Sequence, residues 1–210
     1  MERDRRLLYL YIYIYIFFSV SVYLVIWFTL GETDGLTTVR PDFIYRSLSI
    51  SFIPTFISVL ILKRYLWRYS WVQYILKIDV PYINGRWEGH IESTYTDHET
   101  QHPVAIEISQ TLDTVSIWYY DKNAITRSLV ADFASPTEGG PVKLYCVYRN
   151  EPTTTDDPGL QSHNGVMELY VNEKTDSING IYYNNQHERE TYGNINVELT
   201  SRKLYHSFEP

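Results

Sequence analysis

From Leu7 to Leu30 the chain runs 24 residues without a charged side chain, rich in Tyr, Ile, Leu, Val and Phe. As an α-helix this run is about 36 Å long, more than the roughly 30 Å hydrocarbon core of a bilayer. It predicts a transmembrane helix with some tilt. A secretory signal peptide is the competing reading, since Arg3, Arg5 and Arg6 precede the apolar run. The run is too long for one, and no alanine precedes Ala105 to make an A-x-A site, leaving Ser19-Val20-Ser21 as a poor substitute.

A second apolar stretch, Phe43 to Leu62, carries Arg46 near one end and Pro54 in the middle. Arg46 is close enough to the interface to snorkel, and a carbonyl freed by Pro54 can be satisfied by Ser51 or Thr55. Basic residues precede the first span, and Lys63, Arg64 and Arg68 follow the second, whereas the connecting loop carries Glu32, Asp34 and Asp42 against Arg40. The positive-inside rule then places both ends in the cytoplasm. Trp67 and Trp71, beside Tyr65 and Tyr69, read as an aromatic belt. Tyr9, Tyr11, Tyr13 and Tyr15 alternate with aliphatics and, on a helix, spread around its circumference. They read either as interfacial tyrosines or, with Ser19, Ser21, Ser47, Ser49, Ser51 and Ser58, as interhelical contacts in an oligomer.

The rest of the chain is a different material. Up to Ser70 there are eight Lys/Arg against five Asp/Glu, a net +3; beyond it there are ten against twenty, a net −10, and together these make the chain's −7. A domain at −10 repels polyanions, so no DNA or RNA polymer is expected as a partner, and any anionic ligand must be small and enclosed. The single cysteine, Cys146, excludes an internal disulfide framework and the Cys-rich zinc sites, and fits a reducing compartment.

Beyond Tyr82 short alternating or β-branched runs are punctuated by Gly, Pro, Asn and Asp, with no sustained helical period. Eight strands are predicted, over Gly85–Thr94, Val104–Gln110, Val115–Tyr120, Ala124–Phe133, Val142–Tyr148, Gly165–Val171, Ile178–Tyr183 and Thr191–Leu199. Tight turns without crossover helices imply a meander, and closure into an up-and-down barrel removes its two exposed edges. The expected protein is thus a membrane-anchored all-β one. Residues 1–70 form two N-terminal transmembrane α-helices, 71–82 a linker, and 83–210 a cytoplasmic eight-stranded antiparallel up-and-down β-barrel.

An eight-stranded barrel has room inside for side chains or one small ligand, so inward residues decide function. Strand parity, taken from an inward Trp87, turns Gly89, Ile91 and Ser93 inside, with Thr191, Gly193, Ile195 and Val197 on the last strand and Arg189 in phase at the entrance. The same reasoning puts Gly180, Tyr182, Ser128, Thr126, Gln110, Ile108, Cys146 and Tyr148 inside. Trp87 itself reads as a plug of the barrel base. Inward glycines mark either barrel corners or a cavity.

His98-Glu99-Thr100-Gln101-His102 matches the H-E-x-x-H pattern of zinc proteases. Its surroundings contradict a helix, because no aliphatic anchors Tyr95 to Gln101, Pro103 follows at once and strand-like runs flank it. It is read as a hairpin loop. No other catalytic set stands out, no cofactor is expected, and Cys146 in mid-strand reads as a buried, inert thiol.

Two N-terminal spans, a barrel opening with Asn84-Gly85-Arg86-Trp87-Glu88-Gly89, and a close through Gly180-Ile181-Tyr182 and Arg189-Glu190-Thr191-Tyr192-Gly193 together resemble a known family. It is that of the membrane-anchored barrel effectors of bacterial cyclic-oligonucleotide-based antiphage signalling (CBASS), the CD-NTase-associated protein fifteen family. The resemblance implies a non-enzymatic effector of the bacterial inner membrane. Its barrel would bind a cyclic dinucleotide made by a partner nucleotidyltransferase, and binding would drive homo-oligomerisation of the helices and disruption of the bilayer. Such a ligand needs cationic or N–H donors and flat stacking surfaces. Strand phase nominates Arg189 and Thr191, with Tyr95, Gln110, Trp118, Ser128, Tyr148 and Tyr182. Two other readings stand beside it: a lipocalin-like barrel holding an apolar small molecule in an aliphatic cavity, and a zinc hydrolase using His98, Glu99 and His102.

Overall fold

The computed structural model describes residues 2–30, 41–94, 101–134, 142–154, 161–172, 174–186 and 189–209. They belong to two compact units, 1–67 and 68–210. The first is a hairpin of α1 (Glu2–Leu30) and α2 (Pro41–Arg64). Both are long and apolar enough to cross a membrane, over Leu8–Phe28 and Ile44–Arg68. Pro54 lies within α2 without ending it. The hydroxyls of Ser19 and Ser51 are buried 2.8 Å apart, and the Tyr15 hydroxyl donates to Leu48 O at 3.0 Å. These contacts join the two helices of one chain, while Ser21, Ser47 and Ser49 donate to carbonyls of their own helices. Ser51 does not serve the carbonyl that Pro54 frees at Ile50. It lies 3.0 Å from Leu48 O instead.

In the second unit the stretch before the barrel contains a short helix, α3 (Ser70–Leu76), ended by Lys77 in the left-handed conformation (φ 50°). Its Trp71, Tyr74 and Ile75 are exposed.

The eight strands are β1 (Gly85–Ser93), β2 (Gln101–Gln110), β3 (Val115–Tyr120), β4 (Ala124–Phe133), β5 (Val142–Pro152), β6 (His163–Val171), β7 (Ser177–Gln186) and β8 (Arg189–Ser201). They form a closed antiparallel barrel in sequence order, and β1 pairs with β8 to complete it. Pairing is uneven: β4 and β5 share nine residue pairs, whereas β3 and β4 share three, from Trp118 opposite Arg127 to Tyr120 opposite Ile125. Where that ladder ends, a bulge between Ser128 and Val130 bends β4, and the Ser128 hydroxyl accepts the Ile117 amide at 2.9 Å. One side chain there replaces a missing ladder bond.

Trp87 fills the barrel near the start of β1, completely buried, its indole N–H donating to Ile83 O at 3.0 Å. Ile106, Ile108, Leu144, Leu169, Ile178 and Ile195 belong with it to one core cluster, as inward residues of alternating parity. The chain enters at this end, and Gln110 clamps it: its carbonyl accepts the Ile83 amide at 2.8 Å and its N–H2 donates to Pro81 O at 2.9 Å. Gln110→Ala takes the partner from the buried Ile83 amide and from the part-buried Pro81 carbonyl. It should destabilise the barrel by about 1–3 kcal/mol in denaturant unfolding and leave ligand affinity of the folded fraction unchanged.

Candidate functional site

The end of the barrel away from Trp87 is open. A cavity of about 410 Å³ lies there, in the range of small-molecule sites. Its deeper wall is Ile91, Met167 and Ile195 with the rings of Tyr119, Tyr148 and Tyr182; nearer the mouth come Ser93, Thr126, Asn150, His163, Asn184 and Thr191. His102, Pro103, Asp121, Lys122, Asn123 and Phe208 complete the rim. An alternation of inward residues on every strand brings these groups from all parts of the sequence to one place.

Two of the tyrosines lie across glycines. Tyr148 is directly opposite Gly165, and a Cβ on Gly165 would sit 2.3 Å from the Tyr148 ring. Tyr182 is opposite Gly193, where a Cβ would meet the Tyr182 ring at 2.7 Å and Glu92 O at 2.0 Å. Each glycine is thus the seat of an aromatic ring facing the cavity, which answers whether inward glycines mark corners or a cavity at these two positions.

The polar groups are pre-ordered. Thr126 donates to the Asn150 carbonyl at 2.6 Å, so the amide N–H2 of Asn150 is left as a donor, with no partner among the described residues. On the other side Thr191 donates to the Asn184 carbonyl at 2.6 Å, and the Asn184 N–H2 meets His163 Nε2 at 3.0 Å. His163 Nδ1 lies 2.9 Å from Gln161 O, a pure acceptor, so this relay is satisfied with the proton on Nδ1. Tyr148 meets the His163 ring edge-on at 6.5 Å.

Burial pushes the phenols of Tyr119, Tyr148 and Tyr182 up, opposed at Tyr148 by a hydrogen bond with Asn184 and at Tyr182 by one with Ser93. All three remain neutral donors. Desolvation also pushes the Cys146 thiol up to about 12, leaving it inert.

Of the nominated residues, Tyr148, Tyr182 and Thr191 line the cavity. Three others lie elsewhere. Gln110 points inward as its parity requires, but at the closed end. Trp118 is on the outer wall, 37% exposed and stacked on Tyr120 at 6.4 Å, because Tyr119 takes the inward position of β3. Ser128 is spent on the bulge, outside the cavity lining. Arg189 begins β8 opposite Gln186 at the mouth end, and its side chain is not among those described. Tyr95 lies outside the described residues, as do His98 and Glu99. His102 and Gln101, however, are in β2, extended where the zinc-protease pattern requires a helix. Among the described residues no three His, Cys, Asp or Glu cluster as a metal site would need.

Two groups escaped sequence reasoning for different reasons. Asn150, His163 and Asn184 fell in predicted loops because strands β5, β6 and β7 extend further toward the mouth than their hydrophobic alternation does. Phe208 carries no sequence signal at all. The lining of tyrosines, amides and hydroxyls is unlike the aliphatic interior that a carrier of apolar molecules requires.

Gly165→Ala should displace the Tyr148 ring and destabilise the barrel by about 1–3 kcal/mol, read by thermal unfolding. Raised tyrosine pKa values also fix a pH dependence. The unfolded state loses these protons first, so the stability they confer is complete below about pH 10 and declines above it. Melting curves across the alkaline range should show that decline, reduced in Tyr148→Phe.

A family model described as Cap15, cyclic dinucleotide receptor domain, matches residues 78–199. CD-NTase-associated protein 15 of Escherichia albertii is 26% identical over 148 residues, which cover 66% of this chain and 72% of that protein.

Proposed function

The chain belongs to the Cap15 cyclic dinucleotide receptor family, and from that premise we propose that its barrel binds a cyclic dinucleotide in the mouth cavity and that binding drives the membrane helices of several copies together, disrupting the bilayer. The observation that carries this reading is the cavity itself, about 410 Å³ lined by three tyrosine rings and by preset amide and hydroxyl groups. Aromatic faces stack bases whatever their identity, the Asn150 N–H2 offers a donor to base edges, and the remaining lone pairs of Asn184 Oδ1 and Thr191 Oγ1 offer acceptors. Lys122 at the rim and Arg189 at the start of β8 supply positive charge for the phosphates.

The ligand is the product of a partner nucleotidyltransferase. In this reading the protein is a receptor and effector of CBASS rather than an enzyme, in keeping with the family. The basic flanks of the two spans support an orientation with the N-terminus and the barrel on the cytoplasmic side, and the proposed membrane is the bacterial inner membrane. Once ligand favours the assembled state, confinement of the helices to a plane makes association multivalent.

Calorimetry on the full-length chain in detergent, against cyclic di- and trinucleotides with linear dinucleotides as controls, tests the receptor. Saturable binding of a cyclic dinucleotide, weakened in Tyr182→Ala, is expected; folded protein that binds none of them overturns the reading. Dye release from liposomes bearing the protein, on ligand addition only, tests the membrane step. The acidic barrel also predicts the salt dependence. A dianion approaches against long-range repulsion, so the association rate should rise between about 20 and 200 mM salt, opposite to the behaviour of nucleic-acid binders.

A further inference from the structure

The residues after β8 do not trail away. Lys203 to Glu209 lie along the outer wall of β1 and β2, held by one cross-strand pair, Arg86 opposite Glu107. Both side chains are 1% exposed and joined at 3.0 Å. Burying such a pair is costly unless its remaining hydrogen-bonding capacity is met. Here the strap meets it: the Arg86 guanidinium donates to Ser207 O at 2.6 Å and to Phe208 O, and the Glu107 carboxylate accepts the amides of Tyr205 at 2.7 Å and of His206 at 3.0 Å. Arg86 also lies 5.4 Å from the Tyr205 ring centre. Burial lowers the basicity of Arg86, but hydrogen bonds to Glu88 and Glu107 more than restore it, so the guanidinium stays charged.

All four of these hydrogen bonds are made to strap backbone, with the Tyr205 ring and His206 Nδ1, 3.6 Å from Glu107 Oε2, as the side-chain contacts, so the latch fixes where the strap lies without touching the Phe208 ring. What it delivers is Phe208. This ring is half-buried and lines the cavity together with Pro103 and Lys122. It is an aromatic face at the mouth, brought from 11 residues beyond Val197, the last β8 residue of the core cluster, and it lies outside the region 78–199 that the family model matches.

We propose that the C-terminal strap is part of the ligand site: Phe208 contacts the ligand at the mouth through its ring, stacking on a base, and the Arg86–Glu107 latch positions it. The proposal rests on the cyclic dinucleotide reading of the cavity. Tyrosines inside and Phe208 outside would then give one ligand two aromatic contacts, one for each base, with the phosphates near the rim.

Calorimetry on full-length wild type, Phe208→Ala and Phe208→Trp in detergent, with the cyclic dinucleotide that wild type binds, decides it. Loss of the ring should weaken binding roughly tenfold or more, as removal of a base-stacking aromatic does, and Phe208→Trp should bind within about threefold of wild type. The apo melting temperature should be nearly unchanged in both, since the latch holds backbone. Wild-type binding with equal affinity in Phe208→Ala overturns the strap's role and leaves the receptor standing; no binding by wild type removes the receptor reading itself. Hydrogen exchange on wild type gives an answer without substitution: amides of residues 205–209 should gain protection with ligand, and unchanged exchange there overturns the proposal.

Discussion

The β1–β8 ladder, running from Arg86 opposite Ser201 to Ser93 opposite Gly193, is the constraint on which the other features depend. Without it the eight strands are an open meander with two edges, and parity along a strand has no inside to refer to. With it, every second residue is committed to a small interior. The half near Trp87 is filled solid and the other half is not, because glycines, hydroxyls and amides replace branched aliphatics toward the mouth. Cavity and core are therefore two ends of the same packing pattern, and the difference between them is side-chain volume.

Much of this was legible in the sequence. Eight short runs and their turns are strong local signals, and all eight are strands of one closed barrel. Parity was also readable where a strand alternates clearly, as from Trp87 through Gly89 and Ile91 to Ser93. It failed at β3, where Trp118, Tyr119 and Tyr120 are consecutive aromatics and alternation offers no choice among them. Gln110 shows a different limit, since parity says which side a residue faces but not which end of the barrel it serves. Asn150, His163 and Asn184 look like turn residues because polar side chains that line a wet mouth obey the same composition as those that line a loop. The strap could not be read, because Arg86, Glu107 and residues 205–208 are joined only in three dimensions.

Electrostatically the barrel separates two tasks. Among the described residues the full charges of the barrel are on the outside, at the cavity rim or in the latch, while the deeper cavity wall offers neutral groups: phenols that burial keeps protonated and amides oriented by threonines. Neutral, preset donors suit a ligand that must be recognised by its bases and admitted past a domain of net −10. They also avoid burying a lone cation when the site is empty.

The seating of Tyr148 on Gly165 and of Tyr182 on Gly193 has an evolutionary consequence. A mutation at either glycine acts first on the ring above it, and a mutation that removes the ring leaves the glycine as a bare, weakened place in the strand. Neither half of a pair is worth keeping alone. Across homologous barrels the two members of each pair should therefore be gained and lost together, so that covariation between positions 17 and 11 residues apart marks where a receptor has kept, or abandoned, an aromatic face toward its ligand.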